Sequence, residues 1–131
     1  MTGGEPVGAL PAAFLAALDD REEVLVTSRA GSREVTVPMT CAVGASGHVY
    51  LMTSAFSRKA RRWERDPWAR LTVPGTEVSA EAMVTRVTAD DLIPADRALI
   101  LDRFTTAGAA TAEALGELLR TGTHLLLRVS V

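Results

Sequence analysis

Between Ser57 and Arg70 the chain carries six cations, Arg58, Lys59, Arg61, Arg62, Arg65 and Arg70, against two anions, Glu64 and Asp66. That segment is net +4 in a protein of net charge −2, so the remaining residues sum to −6, and Lys59 is the only lysine in the sequence. Positive charge focused in one short stretch of an acidic protein suits an anionic partner about the size of a phosphate group or two. Ser57 follows an extended run ending near Thr53 and is placed to cap a helix from Arg58 to about Asp66. That helix must stop before Pro67, because a residue preceding proline is pushed out of the α region. Its first turn would offer unpaired backbone N–H groups, the positive end of the helix dipole, a serine hydroxyl and two cations, a combination that binds phosphate. Arg58 and Arg62 are four residues apart and share a face, with Lys59 beside them, so two or three cations could converge on one anion. The alternative is a solvated basic helix whose charges only keep the protein in solution.

The elements that position this segment follow from the apolar pattern. Pro11 to Leu18 reads as a short helix with proline at its start and a stripe of Phe14, Leu15 and Leu18. Glu22 to Arg29 reads as a strand, Ala30-Gly31-Ser32 as a turn, and Glu34 to Val43 as a second strand. Pro38 inside that strand implies a bulge or an unpaired edge position, and such positions often lie beside ligands. Gly44-Ala45-Ser46-Gly47 leads through a hairpin to a third strand, His48 to Thr53. After the basic helix come strands at Trp68 to Val73 and Glu77 to Thr88, the latter with Val78, Ala80, Ala82, Val84 and Val87 as its inward face and with Met83 breaking the alternation. Pro94 to Phe104 reads as a helix whose apolar part is Ala95, Ala98, Leu99 and Leu101. Thr111 can cap a further helix with a stripe of Ala112, Leu115, Leu118 and Leu119, ended by Gly122. The chain finishes in a strand, His124 to Val131. The expected fold is mainly β: six antiparallel strands in a meander forming a closed or nearly closed barrel, with a helix between the third and fourth strands and two before the last.

The totals set outer limits. At 131 residues and 47% apolar content the chain reads as one domain over 9–131 behind a flexible lead-in at 1–8. One cysteine excludes an internal disulfide framework, and Cys41, in an apolar strand, reads as a small buried filler. No stretch approaches a membrane span and the first residues lack the pattern of a leader, so a cytoplasmic location is expected. The acidic remainder argues against nucleic acid. His48 and His124 have no second ligand at metal-like spacing, and no metal is expected. Trp63 and Trp68 read as core or interface residues, and Tyr50 and Met52 as core.

The run Met52-Thr53, then Ser57-Arg58-Lys59, Asp66-Pro67 and Ala69-Arg70-Leu71 resembles the central motif of the pyridoxamine 5′-phosphate oxidase-like, FMN-binding split-barrel superfamily. Thr36-Val37-Pro38-Met39 and Leu126-Leu127-Arg128-Val129 also resemble its deazaflavin-dependent oxidoreductase branch. The likeness is sharp from Val35 to Val73. It implies a six-stranded split barrel that works as a homodimer, with FMN or a deazaflavin coenzyme at the subunit interface and a small organic molecule as substrate. It further implies that Met52, Thr53, Ser57, Arg58 and Lys59 flank and hold the cofactor phosphate, with Arg62 at a second phosphate-side position. Val37, Pro38, Met39 and Thr40 would line the ring and give it backbone hydrogen bonds. The arginine that the oxidases place near Val37 is missing, as is their C-terminal Trp/Arg segment, which counts against a pyridoxamine phosphate substrate. Two readings stay open: an oxidoreductase, or a non-catalytic flavin- or haem-binding protein of the same fold. In such proteins the cofactor carries the electrons, so the lack of a catalytic triad says nothing against an enzyme.

Overall fold

Alternation of apolar and polar side chains along six segments gives each strand one face to bury, and the six faces close on one another. A computed structural model describes residues 8–19, 21–108 and 112–131. The strands are β1 (Glu23–Ala30), β2 (Arg33–Val43), β3 (Val49–Ser54), β4 (Trp68–Thr72), β5 (Ser79–Val87) and β6 (His124–Ser130). They form a closed antiparallel barrel in the order β1-β2-β3-β6-β5-β4, with β1 pairing β4 to complete the ring. The order is not a simple meander: β3 takes β6 as its neighbour, not β4. The basic helix carries the chain away from β3, and the last strand fills the place beside it.

Val24, Val26, Met39, Cys41, Val49, Leu51, Ala69, Leu71, Ala80, Ala82, Val84, Leu125, Leu127 and Val129 form the barrel interior. Burying a side chain of the Val or Leu kind contributes about 1.5–3 kcal/mol. Helix α1 (Ala12–Leu18) adds Phe14 and Leu18 at the end where the Leu10 N–H bonds Gly47 C=O at 3.0 Å. Helix α2 (Arg58–Arg65) adds Ala60 and Trp63 at the opposite end, where Arg62 reaches Ser28 of β1. Cys41 is fully buried, and its thiol is pushed up to about 11 by burial, as suits a filler. Trp68 lies on the outer surface, with the guanidinium carbons of Arg29 and Arg70 at 4.3 and 5.0 Å from its ring and its indole N–H on Glu81 at 3.0 Å.

A second apolar cluster lies outside the barrel. Ala42, Tyr50 and Leu126, on the outer face of β2, β3 and β6, meet Val87, Leu92, and Ile100 and Phe104 of helix α3 (Pro94–Gly108). Helix α4 (Ala112–Thr121) adds Leu119 and ends at Gly122, whose φ of +80° favours glycine. Two expected faces differ here. In β5 the alternation is kept through Met83, which points outward and is exposed. It breaks instead after Val84, so Val87 packs into the outer cluster, while Val78 is exposed and precedes the strand. In α3 the buried side is Asp96, Ile100 and Phe104, with Ala95 and Ala98 exposed. The expected lead-in at 1–8 lies outside the described residues except for Gly8, whose C=O accepts the Val131 N–H at 3.0 Å; the Thr111 cap and the side chains of Ala112, Leu115 and Leu118 also lie outside them.

Asp96 explains the shifted face of α3. Its carboxylate accepts the Ser46 hydroxyl at 2.5 Å and the Tyr50 hydroxyl at 2.7 Å on Oδ2, and the Ser46 N–H at 3.4 Å on Oδ1. His48 Nδ1 lies 2.9 Å from the same Ser46 hydroxyl. A polar residue with these partners is fully buried at no loss of satisfaction, and it turns the helix to face the β2–β3 hairpin. Gly44 is required there, since a Cβ would stand 2.6 Å from Asp96 Oδ2. Burial by itself raises the Asp96 carboxyl, but the hydrogen bonds from Ser46, Tyr50 and the Ser46 and Ala45 backbone outweigh it and hold the group below its ordinary value of 3.8.

A depressed carboxyl stabilises the fold above its ordinary value, and that contribution is lost as pH falls through the folded-state value. Asp96→Asn should therefore cost about 2 kcal/mol near neutrality, because two hydroxyls lose a charged acceptor. Urea unfolding of both proteins at a series of pH values checks this: the gap should narrow as the solution is acidified below 3.8. A gap independent of pH would show that Asp96 acts without its charge.

Candidate functional site

Strand β2 keeps β1 as its partner from Thr40 back to Arg33, and β3 keeps β6 from Val49 to Ser54. Between β2 and β3, however, pairing is confined to Cys41↔Leu51, Ala42↔Tyr50 and Val43↔Val49. The two strands part just beyond the bond between Thr40 C=O and Met52 N–H. The Cys41 N–H bonds Glu22 C=O at 2.9 Å on the β1 side, so alternation turns the backbone groups of Pro38, Thr40 and Ala42 toward β3. Ala42 finds Tyr50 there, and the Cys41↔Leu51 pairing takes the Thr40 C=O for the Met52 N–H, while the Thr40 N–H and the Pro38 C=O face the gap without a ladder partner. Met52 turns its C=O into the gap from the other wall. Proline suits this place because it has no N–H to leave unpaired.

The gap is an open groove of about 290 Å³. Its walls are Pro38, Met39 and Thr40 from β2, and Met52, Thr53 and Ser54 from β3. Lys59 of α2 closes one end, with Phe104 of α3 and His124 at the start of β6 on the remaining sides. The N-terminus of α2 is built as its sequence directs. The Ser57 hydroxyl oxygen accepts the Ala60 N–H at 3.1 Å, and the buried Thr53 hydroxyl donates to it at 3.0 Å. The Ala60 and Arg61 N–H groups are thereby bonded to Ser57, which leaves those of Arg58 and Lys59 as the helix's free donors among the described residues. The Lys59 ammonium is half-buried and has no ion-pair partner among the described residues.

The expected site residues divide as follows. Pro38, Met39, Thr40, Met52, Thr53 and Lys59 line the groove together. Ser57 stands just behind it, as the cap. Arg58 is exposed and does not line the groove. Val37 packs its side chain against the barrel interior, so it cannot present that side chain to a ligand in the groove. Arg62 does not join the other cations: its Nε donates to the buried Ser28 hydroxyl at 2.7 Å, tying α2 to β1. Arg70 and Asp66 of the basic segment are likewise engaged, with Glu34 at 3.0 Å and Arg29 at 2.8 Å. The Arg29 hydrogen bonds, with the Trp68 N–H, hold the Asp66 carboxyl below its ordinary value. Ser54, Phe104 and His124 were not foreseen. Ser54 lies between two motif residues and was open to inference; Phe104 and His124 are brought in by long-range packing alone.

A smaller cavity of about 120 Å³ lies between Ala60 and Trp63 of α2 and Val84, Leu125 and Leu127, with Glu64 and Arg86 also on its wall. Mainly apolar and away from the open strand edge, it lacks the convergence of cation, free N–H groups and unpaired ladder that marks the groove. Among the described residues no group of three or more His, Cys, Asp or Glu could hold a metal ion. No helix among them is long and apolar enough to cross a membrane.

No protein-family model matches this sequence, and no curated protein matches it either. Solved structures do match in fold. An F420 reductase superposes over 92% of this chain and 94% of its own, with a TM-score of 0.62 and 12% identity. A protein of Listeria innocua assigned as a pyridoxamine 5′-phosphate oxidase covers 89% of each chain, with a TM-score of 0.58 and 12% identity. HutZ, described as the haem storage protein of Vibrio cholerae, covers 93% of this chain and 89% of its own, with a TM-score of 0.59 and 12% identity. At such identities the likeness is one of architecture: this chain has the split-barrel fold of these structures.

Proposed function

We propose that this protein is an oxidoreductase that uses FMN or a deazaflavin coenzyme to act on a small organic molecule. The observation that carries the reading is the unpaired edge of β2 set beside the free ammonium of Lys59 in one open groove. A flat heterocycle bearing a phosphate tail needs a strip of backbone donors and acceptors, an apolar wall and an anion clamp. Thr40 and Pro38 supply the strip, Met52 and Phe104 the wall, and Lys59 with the first N–H groups of α2 the clamp. Thr53 and Ser57 fix the clamp's entry, and Arg58, exposed at the first turn, adds charge to the same anion. The bound ring would supply the electron-transfer chemistry; the residues here hold and orient it. The groove is open rather than sealed by the helices, which leaves room for a substrate against the ring and favours an enzyme over a store.

One feature favours the second reading, a haem- or flavin-holding protein without catalysis. His124 lines the groove, and an imidazole there could take a haem iron as an axial ligand. The protein is further proposed to work as a homodimer with the cofactor between subunits. Two features support this: the outward residues of β2 from Glu34 to Thr40 are exposed, and Phe56, beside the clamp, is 74% exposed.

Absorbance titration of the purified protein with FMN, a deazaflavin coenzyme and haemin, each alone, tests the class. Saturable binding of FMN or the deazaflavin supports the oxidoreductase; haemin alone supports the store; binding of none overturns both. Arg58→Ala with Lys59→Ala should weaken FMN at least about 100-fold, two charge-assisted contacts being worth about 3 kcal/mol together. Riboflavin, which lacks the phosphate, should bind the double variant as it binds the parent. Arg62→Ala should instead lower the urea midpoint and leave FMN affinity unchanged, since its partner is Ser28. Sedimentation equilibrium is expected to give twice the chain mass, and a monomer at all concentrations would remove the interface from the proposal.

A further inference from the structure

Arg103 lies one residue before Phe104 on α3, where the helix crosses the β2 wall of the groove. The path of the helix follows from its anchor. Asp96 is bonded at the level of Ser46 and Tyr50, and Ile100 and Phe104 follow at one-turn intervals toward the end of β3 where the groove opens. The guanidinium is half-buried, and its Nη1 is shielded from solvent with no hydrogen-bond partner among the described residues. Helix α3 packs on β2, and the guanidinium's charge is felt at Cys41, next in sequence to Thr40. A charged donor withdrawn from water and left unpaired is costly, so an acceptor is to be expected at that place.

The β2 edge itself indicates which acceptor. Facing the gap, it presents one donor, the Thr40 N–H, and beside it one acceptor, the Pro38 C=O; proline removes the second donor a strand would offer there. The dione edge of a flavin or deazaflavin ring has the order acceptor, donor, acceptor: two carbonyls around an imide N–H. One carbonyl can take the Thr40 N–H and the imide can donate to a strand C=O. The other carbonyl has no donor from β2. We propose that Arg103 supplies it, holding the dione edge of the ring from α3 while Lys59 holds the phosphate from α2. This assignment rests on the cofactor reading above, and it makes Arg103 a ring-binding residue that does not contact the phosphate.

The test uses the full chain with FMN and riboflavin as probes, and the melting temperature of the ligand-free protein as an independent readout. Arg103→Met keeps the length of the apolar stem and removes the donors. It should weaken FMN and riboflavin by the same factor, about tenfold for a lost hydrogen bond from a charged donor. It should also raise the melting temperature of the ligand-free protein, because a solvent-shielded, unpaired donor is gone. Arg103→Lys should recover part of the affinity. Lys59→Gln should weaken FMN alone, and the two effects should multiply in the double variant. Unchanged affinity for both probes in Arg103→Met overturns the assignment. So does a loss confined to FMN, which would place Arg103 on the phosphate, and so does a lower ligand-free melting temperature, which marks a structural role. Failure of the parent protein to bind either probe would defeat the cofactor reading itself, and this assignment with it.

Discussion

The structure depends on a strand that cannot be paired along both sides. β2 follows β1 over its whole length from Thr40 to Arg33, yet joins β3 at only three positions near the hairpin. Pro38 makes the separation cheap, since the position facing β3 has no donor to lose. Once the strands part, β3 must find its continuous neighbour on the other side, and β6 takes that place from Val49 to Ser54. The chain leaves β3 at Ser54, so the helix that follows begins beside the gap. The α2 N-terminus and the open ladder therefore lie together because one interruption in one ladder places both.

An interrupted ladder would be a liability if the two sides were free to slide or close. The Asp96 network holds them from the hairpin end: one carboxylate takes the hydroxyls of Ser46 in the turn and Tyr50 on β3, and belongs to α3. The groove's far wall is thus anchored to the hinge from which the strands diverge. Tyr50 and Ala42 make the last outer contacts before the gap, and both are buried under α3. A polar network that is fully satisfied fixes one arrangement more sharply than apolar packing does, since any slip of register would leave a charge unpaired. At the other end the Arg62 to Ser28 bond fixes α2 against β1, so the clamp cannot drift from the β-barrel.

Much of this was legible in order along the chain. Ser57 as a cap, Pro67 as a stop and Pro38 as an edge residue each follow from one local rule, and the structure has all three. What is settled by distant contacts was less legible. The neighbour of β3 is decided by a strand about 70 residues later, and nothing local distinguishes a meander from the order found. The face of α3 was misjudged because a first-turn aspartate reads as solvent-facing until its partners at Ser46 and Tyr50 are known. Arg62 shares a helix face with Arg58 on paper, but a buried serine on another strand takes it. Phe104 and His124 carry no motif, and only the packing of α3 and β6 brings them to the groove, with Arg103 one residue before Phe104 on α3.

The charges of the basic segment do unequal work for the same reason. Arg62 and Arg70 are tied to Ser28 and Glu34, and Arg61 and Arg65 are exposed, where water and salt screen them. Lys59 is half-buried without an ion-pair partner among the described residues, and it lines the groove with Met52 and Phe104. A charge partly withdrawn from water acts on a neighbour through a lower dielectric, so one such ammonium with two free backbone N–H groups outweighs several solvated arginines. On the proposed reading the +4 of the segment would draw an anion from a distance, while a single side chain and the end of a helix would hold it. Shape is left to the backbone of β2, whose donors and acceptors keep their places whatever side chains surround them.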